Sequence, residues 1–441
     1  MNTFSKFPLI LLVVFLVSCQ FKSTSSGVLE RKTFANLKQH ALFLDSGHDK
    51  YGVFGDDEMK IIKVTNLNKS GEGSLAWAVE QSGPRIVVFE VGGIIDLEQS
   101  IMIVGEPYLF IAGQTAPPPG ITLIRGGIDV YGHDVIVQHI SVRPGDCGAA
   151  PKSGWDPDGL NTSSAYNIVV DHCSFTWSID ENLSASGPRH LGADKTSHDV
   201  TFSNCIISEC LDESSHHKGG HSMGTLIHDY CRNVSVVGNL YSNNNHRNPM
   251  FKPNCSVYVV NNLIYNPKHM PIEACWPVAE YADFPDSLRH AHLTAIGNVM
   301  IPGINTWKDI YLIDGKASVY HHDNMICRDV NDRIGNKRDY ILSPQSEVMP
   351  APVIDTDRHR AIPSGDVAAS VLKNAGSRPK MRDAIDQRIV DDVRKGAGKV
   401  INSQDEVGGY PQWGMTSQPL SVPAKNIEKW LEKLSNDLIN R

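Results

Sequence analysis

Acidic side chains gather in two short segments on either side of a hydrophobic run. Asp156 and Asp158 precede the run, and Asp180 and Glu181 follow it. Carboxylates that lie close together repel one another unless a cation or a shared proton resolves the conflict. A set of hard oxygen ligands suits Ca²⁺, so the segments predict a calcium site if the fold brings them together. Solvated loop acids are one alternative, and the acid–base pair of a glycoside hydrolase is another.

Basic side chains form a third group further along the chain. Lys218 lies in the His-rich loop 216–221, and His246, Arg247 and Lys252 follow in one short segment that contains a proline. Clustered cations of this kind suit an anionic ligand. Polar surface loops are one alternative, and the other is a zinc site built from the three loop histidines, His216, His217 and His221.

A repeated strand pattern predicts how these segments are positioned. Several segments alternate β-forming residues, then place a polar residue and an Asn or His before further apolar residues, and they recur every 23 to 36 residues. Sandwich strands recur at shorter intervals, so this spacing favours a parallel β-helix, an all-β solenoid. Loops at the same corner of successive coils then lie side by side, which would bring Asp156, Asp158 and Asp180 together. The residues expected to stack at one corner are His139, His172, Asn204, Asn239, Asn262, Asn298 and Asn324.

The pattern changes after the repeats. Ser364 could cap a short helix that ends near Gly376, and residues 380–395 and 424–440 have apolar residues at helical spacing. We expect these helices to cover the solenoid. The predicted division is a signal peptide at 1–18, a linker and lead-in at 19–55, a β-helix catalytic domain at 56–345 and a helical extension at 346–441.

Composition limits the possible partners. Lys and Arg number 41 against 49 Asp and Glu, which gives a net charge of −8, and 41% of the residues are hydrophobic. This balance excludes wholesale disorder, and the absence of a long basic run argues against nucleic acid as the main partner.

The N-terminus predicts export. Lys6 precedes an apolar run from Leu9 to Val17, which is too short for a permanent membrane span and is typical of a signal peptide. The junction that ends at Cys19 resembles the lipobox of bacterial lipoproteins, which implies lipid attached to Cys19; a signal peptide with an incidental cysteine is the alternative. We therefore expect an extracytoplasmic protein, anchored to the outer membrane on its periplasmic or cell-surface face, which contacts the membrane only through this lipid. The pairing of the other eight cysteines stays open.

Three motifs resemble polysaccharide lyase family 1, the pectate lyases. VVDHCSF at 169–175 is similar to the family's WIDH motif, Arg247-x-Pro249-x-x-Lys252 is similar to R-x-P-x-x-R, and paired Asn residues follow at 261–262. The segment 71–97 resembles the start of the family's catalytic domain, and 382–413 resembles the tail of bacterial members. The resemblance implies a right-handed parallel β-helix.

The same resemblance implies a site and a reaction. Asp156, Asp158 and Asp180 match the family's Ca²⁺ ligands, whereas Ser184 stands where a further carboxylate is expected and Glu181 is its possible replacement. Arg247 and Lys218 match catalytic residues, and Lys218, Lys252 and His246 form the expected substrate-binding set. The implied reaction is calcium-assisted β-elimination on 1,4-linked galacturonan by a monomer, with Arg247 either removing the carbon 5 proton or stabilising the enolate-like intermediate. A polygalacturonase-type hydrolase and a non-catalytic glycan-binding solenoid are the alternative functions.

Overall fold

The computed structural model describes residues 59–283, 285–353 and 361–439. The predicted signal peptide at 1–18, Cys19 and the linker at 19–55 lie outside the described residues. Among the described residues, every helix is too short or too polar to cross a membrane.

Short strands make up most of the described chain. The first coils contain β1 (Lys60–Val64), β2 (Arg85–Phe89), β3 (Val91–Asp96), β4 (Met102–Val104), β5 (Leu109–Ala112), β6 (Ile121–Ile124), β7 (Ile128–Val130), β8 (His133–Gln138) and β9 (Ile140–Arg143). The middle coils contain β10 (Leu160–Ser163), β11 (Tyr166–Asp171), β12 (Ser174–Thr176), β13 (Glu181–Ser186), β14 (His198–Ser203), β15 (Ile206–Ser208), β16 (Met223–Ile227), β17 (Arg232–Val237), β18 (Leu240–Ser242), β19 (Met250–Phe251), β20 (Ser256–Val260) and β21 (Leu263–Tyr265). The later strands are β22 (Ile272–Ala274), β23 (Ala291–Ile296), β24 (Val299–Ile301), β25 (Ile313–Gly315), β26 (Ala317–His322), β27 (Met325–Ile326), β28 (Glu347–Val348) and β29 (Thr416–Ser417).

Three sheets run along the solenoid. The long sheet has 11 strands in the order β1-β2-β5-β8-β11-β14-β17-β20-β23-β26-β28. The site sheet has eight, in the order β25-β22-β19-β16-β13-β10-β7-β4, and the covered sheet has ten, in the order β27-β24-β21-β18-β15-β12-β9-β6-β3-β29. All of these pairings are parallel except that of β29 with β3. The prediction of an all-β, right-handed parallel β-helix is confirmed.

Alternation along each strand builds two apolar layers. In β8, Val135 and Val137 face the interior of the coil, whereas Ile136 faces outward. Ile136 is in register with Phe110 of β5 and Val169 of β11, so the outward side chains form a second apolar row. A strand that is buried on both faces has apolar residues at consecutive positions. This explains why each repeated segment of the sequence contains a nearly continuous hydrophobic run.

The predicted corner ladder exists, with a shift of one position in its first members. Asn239, Asn262, Asn298 and Asn324 are linked in series by side-chain amide hydrogen bonds of 2.9–3.0 Å. Asn204 is not in this series, because Ser203 pairs with Val237 and the backbone N–H of Cys205 donates to Asn239. His139, His172 and Asn204 instead occupy the preceding corner position, where each has a positive φ of 47° to 57°.

Within the described residues, four helices flank the solenoid: α1 (Leu75–Glu80), α2 (Ser364–Asn374), α3 (Ala384–Lys395) and α4 (Ile427–Ile439). The prediction that Ser364 caps a helix was wrong, because Pro363 is the N-cap and Ser364 begins α2. Helices α2 and α3 bury apolar side chains against the outer face of the covered sheet, and Leu431 of α4 packs on the outward row of the long sheet. The eight cysteines of the described residues are all unpaired.

Short 3₁₀ segments occupy several connections. They are Gly113–Thr115, Arg189–Leu191, Ala193–Lys195, Val278–Tyr281, Pro285–Ser287 and Gln404–Val407.

Candidate active site

A polar groove of about 460 Å³ lies on the outer face of the site sheet. The residues that line it are Asp158, Asn161, Asp180, Glu181, Ser184, Ser186, Lys218, His221, Leu226, His228, Arg247, Met250, Lys252, Glu273, Cys275 and Glu280. One outward side chain from each strand of this sheet lies in a single register. In order along the sheet they are Ile103, Asp129, Asn161, Ser184, Leu226, Met250, Glu273 and Asp314. The five from Asn161 to Glu273 form the floor of the groove.

Three of the predicted acidic residues converge at one end of this groove. Asp158 lies just before β10, Asp180 lies just before β13 and Glu181 begins β13, so neighbouring coils deliver them side by side. Each contributes an oxygen atom to a group whose members lie within 4.8 Å of one another. The backbone N–H of Glu181 donates to Oδ1 of Asp158 at 2.9 Å, and the Ser184 hydroxyl donates to Oδ2 at 2.5 Å.

The carboxylates in this group strongly affect one another. Burial and the neighbouring Asp180 raise the pKa of Asp158, and burial with both Asp residues raises the pKa of Glu181 well above its usual value despite Arg247. Burial would also raise the pKa of Asp180, but a 2.6 Å hydrogen bond with His221 and the charge of that histidine lower it. Adjacent buried carboxyls that compete for protons favour a bound cation. The all-oxygen donor set, extended by Ser184 and Asn161, fits Ca²⁺.

Asp156 points elsewhere. Its carboxylate pairs with Nδ1 of His217 at 2.8 Å, and it groups with His216 and His217, apart from the other three acidic residues. Four acidic ligands were expected, and the fold gathers three of them.

The loop histidines lie in two groups, with Asp156 or with Asp180, whose ligand atoms are close enough to hold a metal, but their hydrogen bonds do not favour the alternative zinc site. The backbone N–H of Lys218 donates to Nδ1 of His216 at 3.1 Å, so the proton of this neutral imidazole resides on Nε2. Burial and the neighbouring His221 lower the pKa of His216 to about 4, which keeps the ring neutral. Nε2 of His216 therefore offers no lone pair to a metal, and Nε2 of His221 is already bonded to Asp180.

Arg247 is a basic residue of the groove that contacts the acidic group directly. It precedes β19, and its Nη1 donates to Oε1 of Glu181. Its backbone adopts the left-handed conformation with φ of 60°, which is uncommon outside glycine and is frequent at functional sites. A Cβ atom at Gly224, in the neighbouring coil, would collide with the carbonyl oxygen of Arg247. Glycine at 224 therefore permits the backbone approach that positions Arg247.

The other predicted cations lie around the same groove. Lys218 is exposed on the loop before β16, and Lys252 immediately follows β19, where its Nζ donates to Glu280 at 2.7 Å. His246 is not among the residues that line the groove, but its Nδ1 is 2.8 Å from Oε2 of Glu273, which is. Its ring also stacks on His269 with centroids 4.7 Å apart.

Sequence reasoning missed several polar residues of this site. The amide oxygen of Asn161 lies 2.9 Å from the Ser184 hydroxyl oxygen and accepts from the Ser186 hydroxyl at 2.9 Å, and its outward position in β10 was a usable signal. Arg189, Asp229 and Glu280 form an ion-pair cluster with Lys252, but they come from three separate connections and carry no motif.

Known proteins resemble this chain along most of its length. No family model matches it. It is 30% identical over 398 residues to the probable pectate lyase C of Aspergillus oryzae, which covers 88% of this chain and 86% of that protein. The probable pectate lyase C of Aspergillus terreus is 30% identical over 382 residues, covering 84% and 82% of the two chains.

Solved structures match at lower identity. A pectate lyase bound to a hexasaccharide has 12% identity and a TM-score of 0.48, and covers 72% of this chain and 92% of that one. The major cedar pollen allergen Jun a 1 has 14% identity and a TM-score of 0.47, with coverage of 72% and 88%. On the identity and coverage of the fungal relatives, the chain belongs to the pectate lyase family and is a polysaccharide lyase.

Proposed function

We propose that the protein cleaves 1,4-linked galacturonan by calcium-assisted β-elimination and releases unsaturated oligogalacturonides. One observation carries the proposal: Asp158, Asp180 and Glu181 converge in a groove that also presents Arg247, Lys218 and Lys252. The fungal relatives are named pectate lyases, and pectate is an acidic polymer of this type. An all-oxygen acidic set beside clustered cations suits both a hard cation and a polyanionic chain.

Asp158, Asp180 and Glu181 would hold the calcium ion, with Ser184 and Asn161 as neutral oxygen donors. When bound, Ca²⁺ withdraws negative charge from a uronate carboxylate and so makes the proton on carbon 5 easier to remove. Asp156 has no place in this set, because it is paired with His217.

The cations would hold the polymer. Lys218 is exposed and Lys252 lies across the groove, so each can bind a carboxylate of the chain. The electrostatic attraction between the acidic polymer and the protein is then confined to the groove, since the chain as a whole has a net charge of −8. His246 would act on the substrate only indirectly, by holding the carboxylate of Glu273.

In the reaction, the bond between carbon 5 and its hydrogen breaks and its electron pair forms the double bond between carbons 4 and 5. The bond between carbon 4 and the glycosidic oxygen breaks, and the oxygen leaves with the electron pair and then takes a proton. Arg247 would either accept the carbon 5 proton or stabilise the enolate-like intermediate by donating hydrogen bonds. Its buried Nε has no hydrogen-bond partner among the described residues and is one such donor.

The geometry does not favour hydrolysis by an inverting pair. The oxygen atoms of Asp158 and Asp180 lie within 4.8 Å of each other, whereas an inverting hydrolase separates its carboxyl groups by about 6.5–9.5 Å. Membership of a lyase family also opposes the alternative of a glycan-binding solenoid without activity.

Ultraviolet absorbance of purified protein with polygalacturonate tests the proposal, because the conjugated product absorbs and a hydrolysis product does not. We expect absorbance to rise with added Ca²⁺ and to stay constant with chelator. In Arg247→Ala the rate of the rise should fall by about a hundredfold or more. The proposal would be contradicted if absorbance did not rise in either condition and also did not rise with methylated or branched pectins. Near-normal activity in Arg247→Ala would refute both roles of Arg247.

We further propose that Cys19 carries lipid, and that the monomeric protein acts outside the cytoplasm on a membrane-bound tether. The apolar run that ends at this cysteine supports the idea. Cells that express the full chain with a clickable palmitate analogue should label the wild type and not Cys19→Ala. Equal labelling of both would contradict lipidation at this residue. Light scattering of the protein without residues 1–19 should report one chain per particle.

A further inference from the structure

Two cations near the end of the groove share one carboxylate. Oε2 of Glu280 accepts from Nη1 of Arg189 at 2.5 Å and from Nζ of Lys252 at 2.7 Å. Arg189 belongs to the connection after β13 and Lys252 follows β19, so the pair bridges separate coils. Glu280 comes from the connection after β22 and lines the groove.

A second carboxylate lies beneath the pair and has a different character. Oδ2 of Asp229 is 3.2 Å from Arg189 and 3.9 Å from Lys252, and the side chain is 0% exposed. Nδ1 of His228 lies 2.8 Å from Oδ2 of Asp229, and the Tyr281 hydroxyl donates to Oδ1 of the same carboxylate. Glu280 is 39% exposed and, among the described residues, is held only by the two cations. Asp229 is therefore a fixed part of the fold, whereas the carboxylate of Glu280 can be exchanged.

The charges explain what could replace it. Arg189 and Lys252 carry two positive charges, and Asp229 offsets one of them permanently. Among the described residues, only Glu280 offsets the second, so removing that side chain without replacement leaves an excess positive charge in a partly buried site. Another carboxylate satisfies the same donors, whereas a neutral methyl ester leaves that positive charge without a counter-ion.

We propose that Glu280 occupies a subsite for a substrate carboxylate, and that Arg189 and Lys252 bind a free uronate carboxylate there once the polymer displaces Glu280. The inference rests on the proposed function, since it assigns Arg189 as a further substrate-binding residue of the same groove. Binding by these two cations would also make the subsite selective. An unesterified uronate supplies the negative charge that they require, and its methyl ester does not.

Two substitutions with opposite expected effects test the proposal. Arg189→Gln removes one cation, so KM for polygalacturonate should rise about tenfold while kcat changes little. Glu280→Gln removes the competing charge, so KM should fall severalfold, again with kcat nearly unchanged. Arg338→Gln and Glu72→Gln remove exposed charges from residues that do not line the groove, and both should behave as the wild type.

Esterified substrate provides the second readout. On highly methylated pectin, Arg189→Gln and Glu280→Gln should differ from the wild type by less than twofold, because the subsite holds no free carboxylate. A KM that rises in Glu280→Gln, or is unchanged in Arg189→Gln, would overturn the proposal. Arg189→Lys keeps the charge and should recover part of the affinity, which separates carboxylate binding from a defect in folding.

Binding without turnover keeps this test separate from that of the proposed function. A wild type that forms no ultraviolet product defeats the proposed elimination. Calorimetric titration with saturated tetragalacturonate would still decide the subsite, through weaker binding in Arg189→Gln and tighter binding in Glu280→Gln. Equal binding in all three proteins would reject it.

Discussion

The hydroxyl of Ser184 donates a 2.5 Å hydrogen bond to Oδ2 of Asp158 and is also 2.9 Å from the amide oxygen of Asn161. Ser184 stands where the family pattern places a carboxylate, so a neutral side chain closes one side of the acidic group. The three carboxylates that converge are those of Asp158, Asp180 and Glu181, and the fourth expected acidic ligand, Asp156, lies apart beside His217.

Restoring that carboxylate should strengthen calcium binding. In Ser184→Asp a fourth negative charge would face Asp158, so the protein without calcium should melt at a lower temperature than the wild type. Because affinity follows the charge of the ligand set, its Kd for Ca²⁺ should fall by about tenfold. Melting curves with calcium or chelator and a calorimetric titration measure both effects. Ser186→Asp adds the same charge two residues along β13, and an equal gain in affinity there would contradict the assignment.

Stability without calcium should depend on pH through Asp158. Burial and Asp180 raise the pKa of Asp158 to about 7, so the folded protein keeps a proton that the unfolded chain releases near pH 4. Stability from this group is present at low pH and is lost as pH rises from about 4 to 7. Buried His139 and His216 have lowered pKa values and act with the opposite sign.

The comparison with Asp158→Asn isolates the carboxyl group. In chelator, the melting temperature of the wild type relative to Asp158→Asn should fall between pH 5 and pH 7.5, and calcium should reverse the fall. A constant difference across this range would mean that Asp158 is ionised throughout.

Glycine at 224 should be required for activity. Gly224→Ala would drive a Cβ atom into the carbonyl oxygen of Arg247, so the guanidinium should shift and kcat should fall by about a hundredfold. Gly105→Ala is the matched control, because a Cβ atom there meets nothing within 4 Å. Rates on polygalacturonate, together with circular dichroism for folding, measure the effect. Wild-type rates in Gly224→Ala would show that Arg247 tolerates displacement.

A buried ion pair should attach the C-terminal helices to the solenoid. Arg143 is 0% exposed and contacts Asp383 at 2.8 Å and Asp386 at 3.0 Å. Arg143→Met leaves two carboxylates without their cation, so the free energy of unfolding should fall by about 3–5 kcal/mol. Arg125→Met breaks a half-exposed pair with Asp96 and should cost only about 0–1 kcal/mol. Urea unfolding measures the free energy of unfolding of both variants. Equal losses would show that the ion pairs of Arg143 contribute no more than an ordinary surface pair.

The coil architecture and the approach of Asp158 to Asp180 follow from the sequence, because loops at one corner of a stacked coil must lie side by side, and Glu181 was expected only as a replacement ligand. The direction of Asp156 does not follow, since it depends on a competing partner, His217, from a later coil. The cluster of Arg189, Asp229 and Glu280 escaped prediction for the same reason: three connections meet only once the coils are stacked.

The shifted corner position has its own cause. The left-handed corner accepts His172, Asn204, Gly238 or Asn261 equally, whereas the ladder position beside it is asparagine only from Asn239 onward. The prediction placed Asn204 and Asn239 at the same corner position. The strand register shows that they occupy adjacent positions, because Ser203 pairs with Val237.

Each coil from β10 to β22 contributes one side chain that lines the groove, and neighbouring strands lie about 4.8 Å apart. A coil gained next to β10 or β22 would extend this row without displacing Asp158, Glu181 or Arg247. Under the proposed function, the number of sugar units in contact with the groove could therefore change during evolution without altering the chemistry at its centre.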